Sequence, residues 1–212
     1  MELGKNNKLG AANTVTLTRI FLIPIFLVIL LVDWPSLPLF ASNRQLYSMA
    51  QPILAAFVFA IIAATDAVDG YLARSRNEVT TFGKFVDPLA DKLLVTAALM
   101  ALVELQAIPA WIAFVIIARE FLVSGLRMIA VAEGVVIAAS PLGKFKTVLQ
   151  IVSICMLIVV NGADKALWSP AVSHGLTLLS YAMLTAAVIV TIWSMVDYFS
   201  KASDVLEGPW NR

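Results

Sequence analysis

The chain has 212 residues, 60% of them hydrophobic and 14% charged, with 15 basic and 14 acidic side chains and a net charge of +1. A soluble domain carries about 45–50% apolar and about 25% charged residues, so this composition leaves too little polar surface for a water-soluble protein. Near-neutrality also argues against disorder and against nucleic acid as a partner, and the single cysteine, Cys155, excludes an internal disulfide or a cysteine-built metal site.

In chain order, Lys5 and Lys8 precede a first apolar run from about Thr18 to Val32, expected to continue past Trp34. No small-residue cleavage site follows before Asp33 and Trp34, so the run reads as a span and not as a signal peptide. A charge-free stretch between Arg44 and Asp66 comes second. Thr81–Leu105 and Pro109–Ala132, both interrupted by charge, come third and fourth. Charge-free stretches between Lys146 and Asp164 and from Ala166 to Val196 complete the series. About 20 mainly apolar residues cross a bilayer, so the fold expected is all-α, a single polytopic domain over residues 1–212 with six transmembrane helices in the lipid bilayer. Runs such as FLIPIFLVILLV are apolar on every face, which excludes the alternation of a membrane barrel.

Placing the N-terminus inside leaves only Arg44 and Lys165 outside among the basic residues near helix ends, so both termini are expected in the cytoplasm. Trp168, Trp193, Tyr198 and Trp210 are expected as interfacial anchors, with core packing an equal alternative for Trp193. Cys155, with no basic neighbour to activate it, reads as a small buried hydrophobe.

The anomaly lies where the second span ends and the third begins. Asp66, Asp69, Asp87 and Asp91 abut or interrupt segments of membrane character, where an ionisable group costs roughly 2.5–3.5 kcal/mol on insertion scales. Asp66 and Asp69 stand at i and i+3, Asp87 and Asp91 at i and i+4, so each pair shares a helix face. A connection around Ser75–Thr80 is short enough to make the two helices antiparallel neighbours, which brings the pairs together. Four converging carboxylates repel one another unless a cation lies between them, and hard oxygen ligands suit Mg²⁺, Mn²⁺ or Ca²⁺. Gly70 and Gly83 remove side-chain bulk from the carboxylate face, as a large ligand there would require.

The string Asp66-x2-Asp69-Gly70-x2-Ala73-Arg74-x8-Gly83-x3-Asp87-x3-Asp91 resembles the signature of the CDP-alcohol phosphatidyltransferases at every fixed position, and the six-span layout extends the resemblance over nearly the whole chain. The resemblance implies two divalent cations, Mg²⁺ or Mn²⁺, held by the four aspartates, with Asp91 as the general base. It implies a CDP-diacylglycerol site formed by Gly70, Ala73, Arg74, Thr80 and Gly83, together with Asn13 and Thr16 of the string Asn13-x2-Thr16-x2-Arg19. That string is similar to the short cytoplasmic juxtamembrane helix leading into the family's first span, although Ala12 stands where relatives often have proline. A homodimer in the bacterial inner (plasma) membrane, with a cytoplasmic active site, is implied in the same way.

A second set of charges addresses the acceptor alcohol. Arg119 and Arg127 lie in the fourth span with Glu120 and Ser124 between them, and Lys144 and Lys146 flank Phe145 where the fifth begins. Lysines two apart do not share a helix face, so one is expected in a loop or first turn. Four basic groups beside an acidic metal site suit an anionic substrate, a phosphorylated alcohol rather than choline, ethanolamine or serine. The strings ARE, SGLR and LGKFKT resemble those family members whose acceptor is sn-glycerol 3-phosphate, although inositol phosphate would need a similar pocket. The activity implied joins CDP-diacylglycerol to glycerol 3-phosphate, giving phosphatidylglycerophosphate and CMP on the route to phosphatidylglycerol and cardiolipin. From another class, a cation or proton transporter would also use intramembrane aspartates, but such sites usually sit near the midplane between repeats, and no repeat is found here. Gly143-Lys144 is not a nucleotide P-loop, because Ala138 replaces the earlier glycine and Phe145 the Ser/Thr, and the lone His174 points to no metal or catalytic duty.

Overall fold

A computed structural model describes residues 11–76, 81–132, 141–162 and 169–210, with side chains described for residues 17–34, 36–40, 42–65, 92–130, 145–162 and 169–200. Among the described residues there are six α-helices and no strand: α1 (Ala11–Leu31), α2 (Arg44–Arg76), α3 (Thr81–Glu104), α4 (Ala110–Ala132), α5 (Pro141–Gly162) and α6 (Pro170–Trp210). The protein is built for a membrane. Arg44–Thr65, Phe145–Gly162 and Pro170–Ser200 are each long and apolar enough to cross one, and Leu17–Leu31 is a shorter apolar stretch.

The N-terminal motif and the first apolar run form one uninterrupted helix, α1, and not a juxtamembrane helix followed by a separate span. The helix also stops at Leu31, earlier than the apolar pattern suggests. Pro35 disfavours helical backbone at Trp34, and a 3-10 turn, Trp34–Ser36, replaces the last turn expected. The freed carbonyls at the end of α1 are satisfied from α2, where the Gln51 carboxamide donates to the oxygens of Ile29 (3.0 Å) and Val32 (2.7 Å).

The turn between α3 and α4 is equally specific. Ala107 N–H donates to the Leu102 carbonyl at 2.8 Å and Gln106 N–H to that of Val103 at 2.9 Å, a Schellman cap with Gln106 in the left-handed region at φ 56°. The apolar contact that accompanies such a cap joins Ala107 and Leu102, both in the core. Tyr181 of α6 donates its hydroxyl to the Ala107 carbonyl at 2.6 Å, fixing the turn against the last helix.

Helix α5 packs most extensively on α6 and also on α2, while α1 lies against α3 and α2, and α4 against α6 and α3. Phe26, Phe59, Leu99, Leu102, Ile116, Ile154 and Leu157 are fully buried at the centre, with the Phe26 and Phe59 rings 5.6 Å apart. The outer surface is also apolar: Phe21, Phe57, Phe114 and Ile189 all point outward, as lipid-facing residues do. Trp193 belongs to this surface, at 70% exposed, and is not packed in the core. Tyr198 corrects the anchor expectation: at 3% exposed it is buried, held inward by Arg127. Trp168 and Trp210 lie outside the described side chains. Cys155 is half-buried, with its sulfur 3.9 Å from the Ala56 carbonyl, in keeping with a packing role.

Candidate active site

The backbone of α2 carries Asp66, Asp69, Gly70, Ala73 and Arg74, and that of α3 carries Gly83, Asp87 and Asp91. Asn13 and Thr16 fall in the first turns of α1. All these side chains, with that of Lys144, lie outside the described residues, as does Thr80 entirely. Lys144 falls in the first turn of α5, where one of the paired lysines was expected.

A cavity of about 300 Å³ lies where α1 to α5 converge, lined by Arg19, Lys92, Glu120, Ser124, Arg127 and Gln150 among others. Ala63, Leu94 and Val95 also line it. Ala63 stands one turn before Asp66 on α2, and Val95 one turn after Asp91 on α3. Two of the aspartates, one on each helix, therefore stand one turn from a wall that the helices share. The donor set consists of carboxylates without thiol or imidazole, at i,i+3 and i,i+4 on helices that pack together, which fits a hard divalent cation.

The basic residues of α4 and α5 divide into two groups. Arg127 lines the cavity. One of its terminal nitrogens donates to the Tyr198 hydroxyl, and its guanidinium carbon lies 5.3 Å from the centre of that ring. Arg119 and Lys146 lie behind the wall, 7% and 1% exposed. Arg119 Nη2 donates to Ser194 Oγ at 2.6 Å, its Nη1 reaches Glu120 Oε1 at 3.5 Å, and the Lys146 ammonium closes on the same Glu120 oxygen. A chain Ser194–Arg119–Glu120–Lys146 thus links α6, α4 and α5. Glu120 is the member that reaches the cavity. Arg119 and Lys146 are brought close to the site but do not line the cavity, and both meet its wall at Glu120.

Several residues of this site were not assigned to it from the sequence, Tyr198 having been expected as an interfacial anchor. Lys92 and Gln150 line the cavity, and Ser194 and Tyr198, at i and i+4 on α6, each hold one arginine of α4. The available signal was spacing: Ser194 and Tyr198 share a face, and Gln150 stands four residues from Lys146.

Comparison with known proteins adds to this geometry. The family model described as CDP-alcohol phosphatidyltransferase matches residues 9–198. A Bacillus subtilis (strain 168) protein named CDP-diacylglycerol--glycerol-3-phosphate 3-phosphatidyltransferase is 43% identical over 206 residues, covering 92% of this chain and 96% of its own length. Proteins of the same name from Haemophilus influenzae and Yersinia pestis (strain Pestoides F) are both 37% identical, over 191 and 177 residues. These alignments cover 88% and 81% of this chain, and 96% and 91% of the relatives.

Proposed function

Because the chain belongs to the CDP-alcohol phosphatidyltransferase family, we propose that it transfers the phosphatidyl group of CDP-diacylglycerol to sn-glycerol 3-phosphate, giving phosphatidylglycerophosphate and CMP. The observation that carries this reading is the 43% identity, over 92% of the chain, to a relative bearing that activity in its name. The cavity supports it, since Arg127 and Lys92 on its wall suit a phosphorylated acceptor better than a neutral or cationic alcohol.

In this reading Asp66, Asp69, Asp87 and Asp91 hold two divalent cations, Mg²⁺ or Mn²⁺. When bound, such a pair neutralises charge on the phosphoryl oxygens of an in-line displacement. Asn13, Thr16, Gly70, Ala73, Arg74, Thr80 and Gly83 bind and orient the CDP group. Arg127 and Lys144 take the acceptor phosphate, and Arg119 and Lys146 set the charge and position of Glu120 beside it. Asp91 removes the proton of the attacking hydroxyl. The hydroxyl oxygen then bonds to the phosphorus that bears diacylglycerol, and the bond from that phosphorus to the bridging oxygen breaks, so CMP leaves with the electron pair. The enzyme works as a homodimeric single domain of six spans in the inner membrane, with both termini and the site on the cytoplasmic side.

The test is CMP release by the purified protein in detergent with CDP-diacylglycerol and Mg²⁺, offered glycerol 3-phosphate, inositol phosphate, serine or water. Glycerol 3-phosphate is expected to give the highest rate, and EDTA to abolish it. Asp91→Asn should still bind the nucleotide while turnover falls by about 10²–10⁴-fold, the usual contribution of a general base. No CMP release with any acceptor would refute the enzyme reading, and near-normal turnover in Asp91→Asn would remove that residue as the base.

A further inference from the structure

Tyr198 of α6 is buried, and its ring meets both arginines of α4. The guanidinium carbon of Arg127 lies 5.3 Å from the ring centre and that of Arg119 6.0 Å, both within the range of a cation–π contact. The phenol oxygen accepts a hydrogen bond from Arg127 Nη2. Arg119 has Ser194 and Glu120 to hold it as well. Arg127 relies on Tyr198: among the described residues no other side chain bonds it and no carboxylate pairs with it.

The identity of that partner matters for charge. A carboxylate in the same place would hold the arginine and also cancel its charge, as Glu120 does for Lys146. A phenol holds it by a neutral hydroxyl and a ring face, so the positive charge remains available to an anion. Arg127 is itself exposed where it lines the cavity, and a long exposed side chain loses rotamer freedom when a ligand fixes it. Contact with a buried ring restricts the side chain beforehand, which lowers that cost. The bond to Tyr198 occupies one guanidinium nitrogen, and the fork keeps the other two for a two-point contact with phosphate.

We propose that Tyr198 is a positioning residue for the acceptor phosphate, holding the Arg127 guanidinium at the cavity without neutralising it. The inference rests on the acceptor reading above, in which Arg127 takes that phosphate. The phosphate of glycerol 3-phosphate is not altered by the reaction, so a contact to it serves ground state and transition state alike. Loss of such a contact shows in KM for the acceptor and not in kcat.

Initial rates of CMP release by the full-length protein in detergent give kcat and both KM values for the wild type, Tyr198→Phe, Tyr198→Leu, Arg127→Ala, and Arg127→Ala combined with Tyr198→Phe. Neither KM depends on how much of a preparation is folded. Tyr198→Phe removes the hydroxyl and keeps the ring. It should raise KM for glycerol 3-phosphate about five- to tenfold, the effect of one hydrogen bond, with kcat and KM for CDP-diacylglycerol unchanged. Tyr198→Leu, which removes the ring as well, should raise it further. On the Arg127→Ala background Tyr198→Phe should add nothing, because the arginine through which it acts is gone. An unchanged KM for glycerol 3-phosphate in Tyr198→Phe, an equal rise in both KM values, or a further rise on the Arg127→Ala background overturns the role of Tyr198 and leaves the acceptor reading intact. A wild-type protein that releases CMP with another alcohol and not with glycerol 3-phosphate overturns the acceptor reading and this inference with it.

Discussion

Lys146 is the most deeply buried charge among the described residues, and its ammonium ends on a carboxylate contributed by another helix. Removing one partner of such a pair strands the other charge, whereas removing both in favour of apolar atoms is far less harmful. Glu120→Ala should therefore destabilise the protein by about 3 kcal/mol, at the low end for a buried pair because Glu120 keeps 28% of its side chain exposed. Adding Lys146→Met should restore most of the loss. Thermal melting of the two single variants and the double variant in detergent measures this as a cycle, and additive losses would show that the pair is not coupled. At this scale the basic residues were legible in the sequence as charges in membrane segments, and Glu120 as a neighbour able to pair with Arg119, but the partners on other helices were not. Glu120 lies 26 positions before Lys146, and Ser194 lies 75 after Arg119, so no local spacing connects them.

At the scale of elements, the bounds of α3 and α4 follow the sequence closely, because charge and turn residues mark their ends. The end of α1 does not, since apolar content continues past the point where Pro35 stops the helix. The contact between α2 and α5 was equally invisible. A Cβ built on Gly162 would lie 2.6 Å from Pro52 Cβ, so the two helices approach at a point where only glycine fits. Gly162→Ala should lower stability by about 1–3 kcal/mol through overpacking. Gly175→Ala in α6, where nothing lies within 4 Å of the added carbon, should be neutral or slightly stabilising. Melting temperatures of the two variants check the contrast, and equal shifts would deny the close approach.

For the whole molecule, the claim open to test is orientation. The basic residues imply that the segment joining α1 to α2 faces outside and the end of α6 faces the cytoplasm. With Cys155 replaced by alanine, Asn43→Cys should react with a membrane-impermeant maleimide on intact cells, and Lys201→Cys only after permeabilisation. The reverse pattern would invert the protein in the membrane and move the aspartates to the outer side.

Composition, the apolar runs and the spacing of Asp66, Asp69, Asp87 and Asp91 are local properties of the chain, so the sequence by itself determined a helical membrane protein that carries two pairs of aspartates on consecutive helices. The tertiary structure alone decided how α4, α5 and α6 are rotated against one another. That rotation turns Arg127 and Gln150 to the cavity, sets Arg119 and Lys146 behind Glu120, and draws Tyr198 inward. The physical reason is that a helix apolar on all sides has no polar stripe to announce which face meets protein and which meets lipid. Packing of the apolar side chains settles the rotation, and the polar pairs form where it brings them together.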